Sequence, residues 1–214
     1  MSAGAVTGPE WAVELAGRLP QSWRDVVSPP PDVAAEVEGY LVAAPPDVLD
    51  ESHLAALVEH VVADDALWAP LVIADPARRR YRLAYEDERL DLWVLSWMPG
   101  QGTGFHDHGT SAVALTAVQG SVRERRLNAA VGPVGQLLEP GEIRTGRGGY
   151  IHAVEHDTGR PAVTIHAYSP PLLEVGQYRA SSDGLLWREL QHGRQELLDH
   201  TFDVASAHAG VTHS

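Results

Sequence analysis

Two histidines separated by one residue, His106 and His108, stand in the segment 100–120, GQGTGFHDHGTSAVALTAVQG, a strand-like apolar stretch bounded by glycines. A strand sends alternate side chains to one face, so both imidazoles can point into the same space. Imidazole is the commonest metal ligand among side chains, and two converging rings need only a third donor to hold a divalent first-row metal. A histidine pair in a strand can also be purely structural. The surroundings of the pair therefore carry more information than the pair itself.

Five residues separate Gly100 from His106, four lie between His108 and Val113, and six more lead to Gly120. This spacing resembles the first metal-binding motif of the cupins, small double-stranded β-barrels that bind metal in the barrel mouth. Where that motif usually carries a glutamate ligand, the chain has Val113, which coordinates nothing. Gly149 followed by His152 in GYIHAVEH resembles the second cupin motif, and the resemblance implies His152 as the third ligand. The implied site is a facial set of three histidines, His106, His108 and His152, without the carboxylate. His156 sits where cupins often carry asparagine and is expected to be structural.

Taken in order, FHDHGTSAVALTAVQGSVRE, YIHAVEH and AVTIHAYSPP resemble the thiol dioxygenases of the cysteine dioxygenase family, over about residues 80–171. In that family three histidines bind iron(II), and a later strand carries a hydroxyl residue, a histidine and a tyrosine at alternate positions before Ser-Pro-Pro. The matching residues here are Thr164, His166 and Tyr168, followed by Ser169, Pro170 and Pro171. Alternation puts all three on one face. The bland reading is an amphipathic strand with polar residues toward a wet interior; the Ser-Pro-Pro that follows favours a catalytic one. Animal members of the family join a cysteine near the metal to the tyrosine through a thioether. The corresponding residue here is Val113 and the chain contains no cysteine, so the resemblance is to the bacterial type, which often lacks the crosslink.

Three neutral imidazoles leave a metal its full charge and an open face for an anionic thiolate, an amine and dioxygen. Holding the substrate's carboxylate then suits an arginine, and managing protons around oxygen suits a tyrosine oriented by a histidine. The family takes its arginine from an early strand, and RRRYRLAYED supplies Arg78, Arg79, Arg80 and Arg82. Ungapped counting back from the histidines points to Arg80, whereas the RxLxY texture favours Arg82. These two share one strand face and Arg79 takes the other. At least two of the arginines belong to a solvated charge run. The branch that prefers 3-mercaptopropionate typically has glutamine at the arginine position and lacks Ser-Pro-Pro, so the resemblance sides with cysteine. The expected function is an iron(II)-dependent thiol dioxygenase converting L-cysteine and O2 to cysteine sulfinate. The alternatives are a dioxygenase of another small thiol, such as 3-mercaptopropionate, and a non-catalytic metal-bound cupin that binds a small ligand.

The elements that must position these residues change character near residue 75. Before it, PDVAAEVEGYLVAA and DESHLAALVEHVVADDALWAPLV carry apolar residues at three- and four-residue spacing, with Asp50, Glu51 and Ser52 as helix-start chemistry. After it, RYRLAYE, LDLWVLSWM, SAVALTAVQGSVRERRL, GQLLEP, GGYIHAVEH and PAVTIHAYSPP read as strands between turn residues. Trp93 and Trp97 on the strand before the histidines are expected in the core or the cavity wall. LLEVGQYRASSDGLLWREL reads as a closing hairpin turning at Asp183 and Gly184. The expectation is a mainly β cupin-type double-stranded barrel at 75–190, an N-terminal helical region at 1–74 packed on it, and a tail at 191–214. In the tail His192, His200, His208 and His213 are spread over several helical turns, too far apart for one ion.

With 16 Lys plus Arg against 29 Asp plus Glu, the net charge of −13 repels a phosphate backbone. Nucleic acid is excluded as the expected partner, leaving a small-molecule thiol and O2. No apolar run approaches a membrane span, and MSAGAVTGPEW lacks a basic region followed by an apolar core. A cytoplasmic monomer without membrane attachment is expected. The absence of cysteine removes disulfides and thiolate ligands from consideration.

Overall fold

Alternating apolar residues from residue 80 onward form strands in the computed structural model, which describes residues 31–44, 47–128, 132–180 and 186–192. In chain order these are β1 (Arg80–Glu86), β2 (Asp91–Trp97), β3 (His106–Asp107), β4 (Ala112–Gln119), β5 (Val122–Asn128) and β6 (Gly132–Leu138). Then follow β7 (Ile143–Gly146), β8 (His152–His156), β9 (Ala162–Ser169), β10 (Glu174–Ala180) and β11 (Leu186–His192). They form two sheets with antiparallel ladders, one in the order β1-β2-β9-β4-β7 and one in the order β11-β10-β3-β8-β5-β6. The fold is the expected mainly β cupin barrel preceded by helices.

Between the sheets lies an apolar cluster drawn from both. Trp93, Leu95, Trp97, Val113, Leu115 and Tyr168 from the five-stranded sheet meet Val122, Val154 and Val175 from the six-stranded one. The outer face of the five-stranded sheet is covered as well. Leu54, Leu57, Val58 and Val61 of α2 (Glu51–Val62) and Val33, Val37 and Leu41 of α1 (Pro31–Leu41) share a second cluster with Leu92, Val94, Ala114, Ile165 and Ala167. That double cover is why every residue of β2 and β9 is buried, giving continuous apolar runs instead of clean alternation. Asp50 caps α2 as its sequence promised, accepting from the amides of Ser52 and His53 at 3.0 Å.

The run SAVALTAVQGSVRERRL is not one strand. It breaks at Gly120, whose φ of +61° suits glycine and where an added Cβ would meet the Pro161 carbonyl oxygen at 2.8 Å. The reversal carries the chain from the five-stranded sheet at β4 into the six-stranded sheet at β5. The strand expected around the histidine pair is present as β3, only two residues long, whereas β7 escaped the sequence reading because IRTG is short and polar. The closing hairpin is present as the β10–β11 ladder, from Glu174 opposite His192 to Ala180 opposite Leu186. Its strand runs to His192, two residues past position 190. The turn expected at Asp183 and Gly184, the segment 1–30 and the tail histidines His200, His208 and His213 lie outside the described residues.

Candidate metal centre and its surroundings

Strand β3 lies between β10 and β8, and its short ladder sets His106 directly opposite both Gln177 and His152. Directly opposed residues of an antiparallel pair share a face, so His106 and His152 stand together inside the barrel, and alternation adds His108. Their ring centroids are 4.7 Å apart for His106 and His152, and 5.0 Å from His108 to each. One ligand nitrogen from each ring falls within 4.8 Å of the others, and all three residues are buried.

Their partners orient them. His106 Nδ1 donates to the Gly104 carbonyl at 2.9 Å, and His152 Nδ1 donates to Glu124 Oε1 at 2.8 Å. A neutral ring that donates from Nδ1 keeps its Nε2 lone pair for something else. His152 Nε2 is buried without a hydrogen-bond partner, which is costly unless a ligand satisfies it. Burial holds the His152 imidazole down at about 4, against the opposing pull of Glu124. It is therefore neutral and ready to coordinate near pH 7. Three buried imidazoles within this radius fit a divalent first-row metal, and the site is a buried three-histidine metal site.

Two carboxylates brace the site. Glu124, on β5 with a fully buried side chain, accepts from His152 Nδ1, from the Tyr150 hydroxyl at 2.7 Å and from Arg126 Nε at 3.1 Å. Burial alone would raise its carboxyl, but hydrogen bonds from His152 and Tyr150 and the charge of Arg126 outweigh it and hold the group down at about 2. Asp107, between the two ligands, points to the opposite face. There it accepts from Arg188 Nε and Nη2 at 2.7 and 2.8 Å, from the Tyr178 hydroxyl at 2.8 Å and from the Gly109 amide at 2.8 Å. A bidentate arginine on a buried carboxylate pins the His-Asp-His backbone from behind.

The facing wall is β9. Thr164, His166 and Tyr168 lie opposite Leu95, Trp93 and Asp91 of β2, and opposite Ala117, Leu115 and Val113 of β4. All three point into the barrel and are buried. They form a chain: Trp97 Nε1 donates to Thr164 Oγ1 at 2.8 Å, Thr164 Oγ1 meets His166 Nε2 at 3.0 Å, and His166 Nδ1 meets the Tyr168 hydroxyl at 3.0 Å. The Tyr168 ring reaches the metal ligands, 4.8 Å from His108 between centroids. Indole only donates, so Thr164 accepts from Trp97, and the His166 ring bridges the Thr164 and Tyr168 hydroxyls through its two nitrogens. Val113, fully buried, lies directly opposite Tyr168, the place from which a cysteine would face that ring.

The arginines require a correction. Arg80 and Arg82 were expected to include the substrate clamp, but they lie opposite Ser96 and Val94 of β2, on the outer, helix-covered face of the sheet. Arg80 is paired there with Asp75 at 2.6 Å. The inward residues of β1 are Tyr81 and Leu83, opposite Leu95 and Trp93. Arg79, just before the strand, is the arginine on the interior side: only 5% exposed, its guanidinium lies 5.1 Å from the centroid of the Trp97 ring. Ser169 also turns outward, accepting from the Leu49 amide and donating to the Arg89 carbonyl, so it ties β9 to the helical layer. His156 bonds the Arg160 carbonyl at 2.9 Å and takes no part in the cluster, as expected. Glu124, Asp107, Arg188, Arg79 and the Trp97 link to Thr164 were not anticipated. A signal for Glu124 existed: alternation in VRERRL sets it on the same face as the core residue Val122.

Against known proteins, the model of the family described as cysteine dioxygenase type I matches residues 42–181. Cysteine dioxygenase type 1 of Rattus norvegicus is 27% identical over 135 residues, covering 58% of this chain and 68% of that protein. The protein of the same name from Danio rerio is 28% identical over 140 residues, with the same coverage. A crystal structure of an uncharacterized conserved protein with a double-stranded β-helix domain from Klebsiella pneumoniae is 15% identical, with a TM-score of 0.42, covering 55% of this chain and 90% of that one.

Proposed function

The chain belongs to the cysteine dioxygenase type I family, and from that premise we propose that it is an iron(II)-dependent dioxygenase of small thiols, with L-cysteine as substrate and cysteine sulfinate as product. One observation carries the reading: the buried three-histidine site shares the barrel interior with the Thr164–His166–Tyr168 chain, whose phenol packs on a metal ligand. The reaction R–SH + O2 → R–SO2H balances by itself. Sulfur loses four electrons and dioxygen gains four, so neither a reductant nor a second cofactor is required. Bound iron(II) supplies a Lewis-acidic, one-electron centre at which thiolate and dioxygen can meet.

The chain's own residues do the rest. His106, His108 and His152 hold the metal through neutral nitrogens and add no charge to compete with an anionic thiolate. Tyr168 places a hydroxyl at the edge of the reacting region, and His166, fixed by Thr164 and Trp97, sets which way its proton points. Trp93, Leu95 and Val113 line the same interior and keep it dry, which strengthens every hydrogen bond made there. Recognition of the substrate carboxylate is assigned to Arg79, because it occupies the interior side whereas Arg80 and Arg82 do not.

The test is oxygen uptake by iron-reconstituted protein with cysteine, 3-mercaptopropionate and cysteamine, with the sulfinate identified by mass spectrometry. Cysteine should support the highest kcat/KM. A higher value for 3-mercaptopropionate would reassign the substrate within the class. Folded, iron-loaded protein that consumes no oxygen with any thiol would overturn the enzymatic reading in favour of a ligand-binding cupin.

A further inference from the structure

We propose that Glu124 is the positioning residue of the metal site: a buried carboxylate that locks His152 in its coordinating tautomer and restores, one hydrogen bond behind the ligands, the negative charge that Val113 leaves out of them. The inference rests on the three-histidine metal reading and is independent of which thiol is the substrate.

The geometry makes His106 and His152 unequal. His106 leans on a neutral backbone carbonyl, that of Gly104, while His152 donates to a carboxylate with no exposed side-chain surface. A buried carboxylate is expensive unless its lone pairs are filled. Here the imidazole N–H, the Tyr150 hydroxyl and the Arg126 guanidinium fill them. The Arg126 guanidinium also stacks 5.0 Å from the Tyr150 ring centroid, so the donors brace one another. Position follows from register: Arg126 lies opposite His152 in the β5–β8 ladder and Glu124 opposite Val154, on the same inward face. Asp107 is also buried beside the ligands, but it faces outward and braces the backbone without bonding a ligand ring.

Two consequences follow from a charge held one hydrogen bond behind His152. The ring becomes a better donor and arrives pre-oriented, which strengthens metal binding by about 10- to 100-fold. The charge also favours the higher oxidation state of a bound metal, because it offsets the extra positive charge. Glu124→Gln separates these roles from simple scaffolding, since the amide oxygen can still accept from His152 Nδ1 while the charge is gone.

The experiment measures iron(II) affinity by chelator competition, and the midpoint potential of bound iron, on the full chain without thiol. Glu124→Gln should stay folded by circular dichroism, bind iron about tenfold more weakly and show a raised potential; Glu124→Ala should bind about 100-fold more weakly. Arg126→Gln, which keeps the carboxylate, should change the potential less than Glu124→Gln does. Wild-type affinity and potential in Glu124→Gln would overturn the proposal while leaving the metal site standing. A wild-type protein that binds no iron would overturn both. Loss of thiol turnover with both readouts unchanged would count against Glu124 as well, because neither predicted effect would have occurred.

Discussion

The two walls of the barrel meet the same interior with opposite chemistry. The six-stranded wall presents three imidazoles and places ionised carboxylates behind them, Glu124 under His152 and Asp107 on the reverse of the His-Asp-His strand, each pinned by an arginine. The five-stranded wall presents a hydrogen-bonded chain without carboxylates, Trp97 to Thr164 to His166 to Tyr168, built from hydroxyls, an imidazole and an indole. One wall fixes donors in place; the other is composed of groups whose protons can be redirected at small cost. Their coverings match the difference. The five-stranded wall is covered on its outer face by the helical layer, whereas the metal wall turns its outer face to partly exposed Arg188.

On this division, substitutions on the metal wall should weaken or abolish metal binding and those on the five-stranded wall should spare it. The largest effect is expected from His152→Ala, which should remove most bound iron while circular dichroism still reports the barrel, whose apolar core lies elsewhere. Full iron occupancy in that variant would break the comparison at its first term.

Next comes the face of the arginines. An unpaired carboxylate in a closed site costs roughly 2 to 4 kcal/mol, so Arg79→Ala should lower kcat/KM for cysteine by about 30- to 1000-fold and spare cysteamine, which has no carboxylate. Arg82→Ala, on the outer face, should leave both thiols within about twofold of the parent, the scatter of ordinary surface substitutions. Selective loss in Arg82→Ala instead would mean that β1 presents its other face in solution.

Along the Trp97–Thr164–His166–Tyr168 chain the effects should shrink with distance from the metal ligands. Tyr168→Phe removes one hydroxyl and should slow turnover by about tenfold or uncouple oxygen uptake from sulfinate, with iron affinity unchanged. Thr164→Val keeps the volume near constant and breaks the link between Trp97 and His166, for a slowing of about threefold. Parallel steady-state and metal titrations check both. A Thr164→Val defect larger than that of Tyr168→Phe would mean the chain serves packing and not the phenol.

How much of this was legible beforehand follows from periodicity. His106, His108, Thr164, His166 and Tyr168 could be read because each set alternates along one extended segment, so relative facing needs no tertiary knowledge. The arginines could not, because a period of two says which residues share a face and not which face is inside. That is decided by the ladder that sets Tyr81 opposite Leu95 and Leu83 opposite Trp93. Glu124 was hidden in VRERRL, whose charges look solvated until β5 is seen to pair with β8. The sheet switch at Gly120 was masked by apolar residues on both sides of it. Asp107 was not legible because its partners, Tyr178 and Arg188, come from strands more than 70 residues away.

The most direct test of a thiol dioxygenase is the fate of both oxygen atoms. Iron-loaded protein turning over cysteine under 18O2 should yield cysteine sulfinate heavier by four mass units, with one O2 consumed per sulfinate formed. Product carrying only one labelled oxygen, or none, would contradict the assignment.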